Sequence, residues 1–410
     1  MAELNCRFCS NELEHTFVNL GMSPIANDML KSEHLNCMEP FYPLHVYVCE
    51  KCFLVQLPEH QSPTEIFSDY TYFSSYSESW LNHAKKYVQL MMDRFLFGKD
   101  SLVVELASND GYLLQYFKEK GVPVLGVEPA ENVAKVAIEK SIPTIAKFFG
   151  TETARSLVSD NKKADLIIGN NVLAHVPDIN DFVAGIKVLL ATEGVITVEF
   201  PHLVKLMELN QFDTIYHEHF SYLSLTIVKN IFQHHGLKVF DVQQLKTHGG
   251  SLRVFATHVD NETCSVSNSV TSLLETEAKD GYTNLAHYTG YQDKVNSTKR
   301  HLLEFLIREK EQGKSIVAYG APAKGNTLLN YCGIRSDFID YTVDKSPHKQ
   351  GKYLPGTHLP VHHPDMIFET QPDYILILPW NLRKEIAGQL EGIRQWQGQF
   401  IVPIPRLEIF

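Results

Sequence analysis

From residue 101 onward, apolar runs and amphipathic stretches alternate along the chain. "SLVVELA" reads as a buried strand, "SNDG" as a loop and "YLLQYFKEK" as a helix. "VPVLGV" is a second strand, ending at Glu128, and "ENVAKVAIEK" a second helix. "IPTIA", "ADLIIG" and "GVITVEF" continue the strands, with helical stretches between them. This alternation predicts a doubly wound α/β sheet. "LKVFDVQQL" and "SLRVFATH" are joined only by "KTHGG", a link so short that the two strands must pair antiparallel.

A second, smaller unit of the same kind follows. "KSIVAYGAPAKGNTLLNYC" (residues 314–332) is again a strand, a glycine turn and a helix, with further strands at "FIDYTVD", "YILILPW" and "FIVPIP". It reads as a Rossmann-like lobe, and the polar, then helical, segment 260–310 as the connection to it. "LPGTHLP" reads as a rigid Pro/Gly loop that gates the site.

The N-terminal region carries different chemistry. Cys6-Arg-Phe-Cys9 and Cys49-Glu-Lys-Cys52 are two CxxC pairs, and four thiolates suit a tetrahedral, structural zinc ion with no open position. The 39 residues between the pairs exceed the usual spacing, so Cys37, His34 and His45 are alternative ligands. Four unpaired thiols, or a redox CxxC, are the plain alternatives. The chain has seven cysteines, an odd count that argues against a disulfide framework.

Length and charge narrow the rest. The 410 residues fit two or three domains, and the 44% apolar content is enough for ordinary cores. A net charge of −11 argues against a nucleic-acid binder. No apolar run spans a membrane and the N-terminus has no signal segment, so a cytoplasmic protein is expected.

Seven strands with a terminal antiparallel hairpin resemble the sheet of class I S-adenosylmethionine (SAM) methyltransferases, whereas a dinucleotide dehydrogenase would use six parallel strands and a GxGxxG turn. Here the first turn reads Glu105-Leu-Ala-Ser-Asn-Asp-Gly111, with one glycine left. Such a loop faces an uncharged methionine segment more readily than a phosphate. Glu105, Ala107, Asn109 and Gly111 are therefore candidate SAM contacts, with Glu128 and Pro129 at the ribose and Asn170 after the fourth strand. A solvated strand-end acid is the plain alternative for Glu128. Asn171 and His175, in "GNNVLAHVPD", reach the carboxyl edge of the sheet, where open α/β folds bind ligands.

"YHEHFSYLS" (216–224) lies between the fifth strand and the helix "SLTIVKNIFQHH". On a helix its residues 217, 218 and 219 diverge by about 100° each, so they cannot all face one metal ion. A polar loop with satisfied histidines is the plain alternative to a proton-transfer site.

The paired CxxC knuckles, "YTYFSSYSES", "VVELASNDGYLL", "GNNVLAHVPD", "YHEHFSYLS", "HGGSLRV", "AYGAPAKGNTLLNY" and "VDKSPHKQGKYLPGTHLPV" together resemble the C-methyltransferases of nucleotide-linked keto-deoxysugars, over essentially the whole length. The resemblance implies SAM-dependent methylation at C3 of a nucleotide 4-keto-6-deoxyhexose, through enolisation and in-line methyl transfer. It implies His219 as the leading base, Tyr216 as second candidate or relay, and Glu218 as the group orienting the histidine. Tyr72, Asn171 and His175 would line the sugar pocket, and His217 receives no role. Lys324, Asn326, Lys349 and Tyr353 would hold the nucleotide diphosphate. The expected units are 1–68 for zinc, 69–260 for SAM and 261–410 for the nucleotide sugar, in a monomer. A nicotinamide-dependent oxidoreductase and a non-catalytic zinc-bearing binding protein are the competing readings.

Overall fold

The computed structural model describes residues 4–67, 73–76, 78–160 and 162–410. The N-terminal region forms strands β1 (His15–Ser23), β2 (Tyr42–Val48) and β3 (Val55–Gln56). The middle of the chain forms β4 (Val103–Leu106), β5 (Val124–Val127), β6 (Thr144–Ile145), β7 (Ala164–Asn170) and β8 (Leu190–Pro201). The short β9 (Ser221–Tyr222) precedes β10 (Leu237–Leu245) and β11 (Ser251–His258). The last third forms β12 (Ile316–Tyr319), β13 (Thr342–Val343), β14 (Val361–His362), β15 (Tyr374–Ile377), β16 (Gln399–Val402) and β17 (Glu408–Ile409).

The central sheet has the order β10-β11-β8-β7-β4-β5-β6. β4 to β8 run parallel, and β11 enters antiparallel between β8 and β10. That is the class I methyltransferase sheet. β4 and β5 are buried at every position, as strands must be when helices cover both faces. The β10–β11 link turns through His248, Gly249 and Gly250, all at positive φ.

The third sheet runs β14-β13-β12-β15-β16-β17, parallel except for β17. Three of its strands, β13, β14 and β17, have only two residues each, and of these β14 and β17 escaped the sequence pattern. The "LPGTHLP" loop is tightly folded: Leu354 N–H donates to Leu359 O at 2.9 Å, and Gly356 has φ 74°.

The first sheet also escaped the pattern, because β1 is irregular and slips register between Asn19 and Met22. Its fourth strand is β9, which pairs with β3 from about 165 residues away in sequence. The Phe17 ring on β1 stacks on Tyr291 at 4.7 Å between centroids. Tyr291 opens the helix Tyr291–Glu311, whose buried Tyr291, Val295, Leu302 and Leu306 follow a helical spacing. The first and third sheets thus share one core. No described helix is long and apolar enough to cross a membrane.

Candidate active site and metal centre

The sulfurs of Cys6, Cys9, Cys49 and Cys52 all lie within 4.8 Å of one another. Cys6 Sγ is 3.6 Å from Cys52 Sγ, and Cys9 Sγ is 3.5 Å from Cys49 Sγ. Four zinc–sulfur bonds of about 2.3 Å in a tetrahedron put sulfurs roughly 3.8 Å apart, so the set fits a zinc ion. Each pair sits on a tight turn, with Ser10 N–H on Cys6 O and Phe53 N–H on Cys49 O, both at 2.9 Å. The amide of Gln56 donates to Cys6 Sγ at 3.1 Å, support of the kind that steadies metal ligands. Hydrogen bonds from Cys49 and Cys52 hold the Cys6 thiol far below its ordinary value. The alternative ligands stand apart: the Cys37 thiol meets Glu33 O, His34 pairs with Glu33, and His45 binds Thr16 and Tyr47.

The turn after β4 combines a left-handed backbone with unpartnered buried polar atoms. Ala107, Asn109 and Gly111 all have positive φ, at 52°, 50° and 75°. The backbone therefore adopts a glycine-type path without the glycines, at a cost of about 1–2 kcal/mol for a residue such as alanine. Glu105 Oε2, Ser108 Oγ, Asp110 Oδ1 and both amide atoms of Asn170 are buried without hydrogen-bond partners among the described residues. Buried polar atoms are normally satisfied, and the hydroxyls, amine and ring nitrogens of SAM are groups that would satisfy them. Burial, with Glu128 and Asp110 close by, pushes Glu105 well above the usual carboxylate range. Glu128 spends its two oxygens on the N–H groups of Asn109 and Ala130, each at 2.9 Å, and so clamps the turn. Pro129 separates Glu128 from Ala130 along the chain.

The "YHEHF" stretch crosses the carboxyl edge of the same sheet, where three regions of the chain meet. His219 Nδ1 lies 2.8 Å from Thr214 O, and His175 Nδ1 lies 2.7 Å from Glu218 O. A carbonyl only accepts, so each Nδ1 carries the hydrogen and each Nε2 the lone pair. The two imidazoles are 4.6 Å apart between ring centroids, and Tyr216 lies 4.0 Å from His219. Burial pushes His219 well below its ordinary pKa and His175 down to about 4, so both are neutral at pH 7. Asn171, with φ 54°, donates its backbone N–H to Glu199 O at 2.7 Å, and its amide lies 3.4 Å from His248 Nε2.

Several expected contacts take another form. The Glu218 carboxylate does not meet His219: both oxygens accept from Asn27 at 2.8 Å, and it is the backbone of Glu218 that orients His175. Burial pushes Glu218 up to about 7, moderated by Asn27 and by the charge of Lys349. His217 turns away, toward Pro43 O at 3.3 Å. Lys324 donates to Asn381, Lys349 to Ala321 O, and Asn326 to Ala26 O. The Tyr353 backbone pairs with Leu30. Tyr72 lies outside the described residues.

Residues 6–67 match the family model of a zinc binding domain, 80–242 that of a methyltransferase domain, and 246–405 that of the C-methyltransferase C-terminal domain. The chain is 37% identical over 402 residues to C-methyltransferase NovU of Streptomyces niveus, spanning 98% of this chain and 95% of that protein. This chain belongs to the C-methyltransferase family. The ubiquinone biosynthesis O-methyltransferase of Bartonella tribocorum is 26% identical over 97 residues, 23% of this C-methyltransferase and 39% of that protein. Among solved structures, magnesium protoporphyrin IX methyltransferase of Synechocystis PCC 6803 with bound SAM covers 43% of this chain and 79% of its own. It gives a TM-score of 0.33 at 16% identity. The C-methyltransferase is SAM-dependent and carries a zinc-binding module.

Other residues that shape this site were not singled out from sequence. Arg253 on β11 faces Glu199 on β8 directly across the sheet. Arg253 Nε donates to Glu199 at 2.7 Å, and His83 Nε2 lies 3.0 Å from the same carboxylate. Burial pushes Glu199 up, yet the His83 and Arg253 partners hold it below the usual range. A single charge inside each of two apolar strands, "GVITVEF" and "SLRVFATH", was the available signal. Thr214 and Asn27 had none: one acts through its backbone, the other from a distant loop.

Proposed function

We propose that this C-methyltransferase acts on a nucleotide-linked 4-keto-6-deoxyhexose and transfers its methyl group to C3. The observation that carries this reading is the hydrogen bond between His219 Nδ1 and Thr214 O, which reserves Nε2 for a proton. A C–H beside a ketone is acidic enough for a positioned imidazole to take its proton. The C–H electron pair moves into the enolate, and the hydrogen passes to His219 Nε2. Tyr216 donates a hydrogen bond to the developing oxyanion. When bound, SAM supplies a sulfonium methyl that the carbon nucleophile accepts in line. His175, fixed by Glu218 O, and Asn171 line the sugar pocket, with Tyr72 assigned to it from sequence alone. Glu105, Ala107, Asn109, Gly111, Glu128, Pro129 and Asn170 hold SAM.

Lys324, Asn326, Lys349 and Tyr353 contact the nucleotide diphosphate in this reading, after Lys324 and Lys349 leave their present partners. Residues 1–68, 69–260 and 261–410 then serve zinc, SAM and nucleotide sugar, respectively. A reduced four-cysteine set is suited to the cytoplasm, where we place the enzyme, as a monomer.

The test is incubation with SAM and a panel of nucleotide 4-keto-6-deoxyhexoses in deuterated water, read by mass spectrometry. Deuterium enters the carbon beside the ketone, and His219→Asn abolishes that exchange and lowers turnover roughly 10²–10⁴-fold. SAM affinity stays unchanged. Full turnover by His219→Asn removes it from the base role.

A further inference from the structure

The carbonyl that orients His219 belongs to a single turn of 3-10 helix, Phe212–Thr214. So short a turn has little stability of its own, and its position is set by what its side chains meet. Asp213, fully buried, accepts from Trp380 Nε1 at 2.6 Å across 167 residues of chain. Trp380 is itself nearly buried, at 7% exposure. Its ring also abuts the turn that carries His248: a Cβ added to Gly249 would stand 2.7 Å from Trp380 Cη2. The Lys324 ammonium lies 4.5 Å above the same ring. On either side of Asp213, Gln211 donates to Gly249 O at 2.8 Å and Thr327 donates to Ile215 O at 2.9 Å. The platform under the imidazole is therefore held largely by the C-terminal lobe.

We propose that Asp213 and Trp380 are positioning residues for methyl transfer, whose hydrogen bond holds the Thr214 carbonyl where it fixes His219 as the Nδ1–H tautomer. The inference rests on the assignment of His219 as base. The tautomer matters because an Nε2–H imidazole has no lone pair on the nitrogen that must take up the proton. A turn freed from Trp380 loses the acceptor that selects the useful form. The same indole lies under Lys324, so the lobe assigned to the nucleotide also sets the base in place.

Three variants test this. Trp380→Phe keeps a ring and removes the N–H; Asp213→Ala removes the acceptor; Asp213→Asn keeps an oxygen that still accepts. Trp380→Phe and Asp213→Ala should each lower kcat by about 10–100-fold, as loss of a supporting hydrogen bond commonly does. The KM for SAM should not move. Asp213→Asn should keep most of the wild-type kcat, and the double variant Trp380→Phe/Asp213→Ala should be no worse than the weaker single. Nitrogen NMR of histidine-labelled protein, with His219→Asn as assignment control, should show Nδ1–H at His219 in the wild type and a tautomer mixture in Trp380→Phe. Losses that multiply in the double variant, an Asp213→Asn as poor as Asp213→Ala, or an unchanged tautomer in Trp380→Phe overturn the proposal. Where Asp213→Ala does not fold, Trp380→Phe against Asp213→Asn decides it. An active His219→Asn would sink the base assignment, whereas an inactive one beside an unaffected Trp380→Phe sinks the positioning role alone.

Discussion

The chain contains two turns of the same design, each leading from the first strand of an α/β sheet into a helix. They are used in opposite ways. Around the turn after β4, Glu105, Ser108, Asp110 and Asn170 hold buried polar atoms with no partner among the described residues. Around the turn after β12, most of the polar groups are spent on the protein: Ala321 N–H on Asp344, Lys349 on Ala321 O, Thr342 on Gly320 O and Lys324 on Asn381. Asn326 Oδ1 is also buried without a partner among the described residues. Unsatisfied buried groups are costly unless a ligand completes them, whereas satisfied ones stabilise the turn as it stands. The first turn thus keeps unmet hydrogen-bonding capacity. At the second, any nucleotide that Lys324 and Lys349 bind must first displace protein partners.

The sharpest way to break this contrast is at the two left-handed glycines. Gly111 has φ +75°, and a Cβ there would sit 3.0 Å from Ile142 Cγ1. Gly111→Val should weaken SAM binding by about a hundredfold in calorimetry, since a β-branched residue is strained at such a φ and the turn must move. Gly320 has φ +92°, and its Cβ would meet Pro379 Cδ at 2.6 Å. Gly320→Ala should lower the melting temperature and leave SAM affinity alone. Equal losses of SAM affinity in both variants would erase the distinction.

The next effect concerns the buried acids within and just before the "YHEHF" stretch. Burial raises Glu218 to about 7 and Asp213 to about 6, from ordinary values of 4.5 and 3.8. A carboxyl group whose pKa rises on folding favours the folded state below its unfolded pKa, and that advantage fades as pH climbs toward the folded pKa. For Glu218 the window runs from pH 4.5 to about 7. The shift corresponds to about 3 kcal/mol. Glu218→Gln should therefore gain stability relative to the wild type between pH 4.5 and 8, by about that amount, in urea unfolding. A difference that does not vary with pH would mean that Glu218 is ionised in the fold.

Smaller effects follow. Lys324→Met should raise the KM for the nucleotide sugar by about tenfold, as expected for loss of one charged hydrogen bond, without changing the affinity for SAM. An altered SAM affinity would show that the second turn serves the first. Glu105→Gln should do least. Burial raises the pKa of that carboxyl well above its ordinary value and so favours the neutral form, which the amide matches in charge and shape. SAM affinity at pH 7 should then stay close to that of the wild type, and a large loss would reveal an ionised Glu105.

Much of this was legible beforehand, and the exceptions have a common cause. The seven central strands could be read because each is a local apolar run between turn residues. The zinc ligands could be read because two CxxC turns are local as well. The first sheet could not: β3 has two residues, and its partner, β9, lies about 165 residues further along the chain. In the site, the dense run from Tyr216 to His219 announced itself, but the direction of the Glu218 carboxylate did not. Asn27, which receives it, lies 191 residues away.

Side-chain chemistry and short-range pattern, both carried in the primary structure, determined the sheet order's ingredients, the four thiolates and the imidazole available as a base. Tertiary structure alone decided which nitrogen of that imidazole carries the hydrogen, which acids have their pKa raised by burial, and how the polar groups of the two turns are spent. The reason is physical. A backbone carbonyl such as that of Thr214 is the same in every residue, and burial is a property of the assembled chain. Neither leaves a mark in the order of amino acids until the fold has brought the partners together.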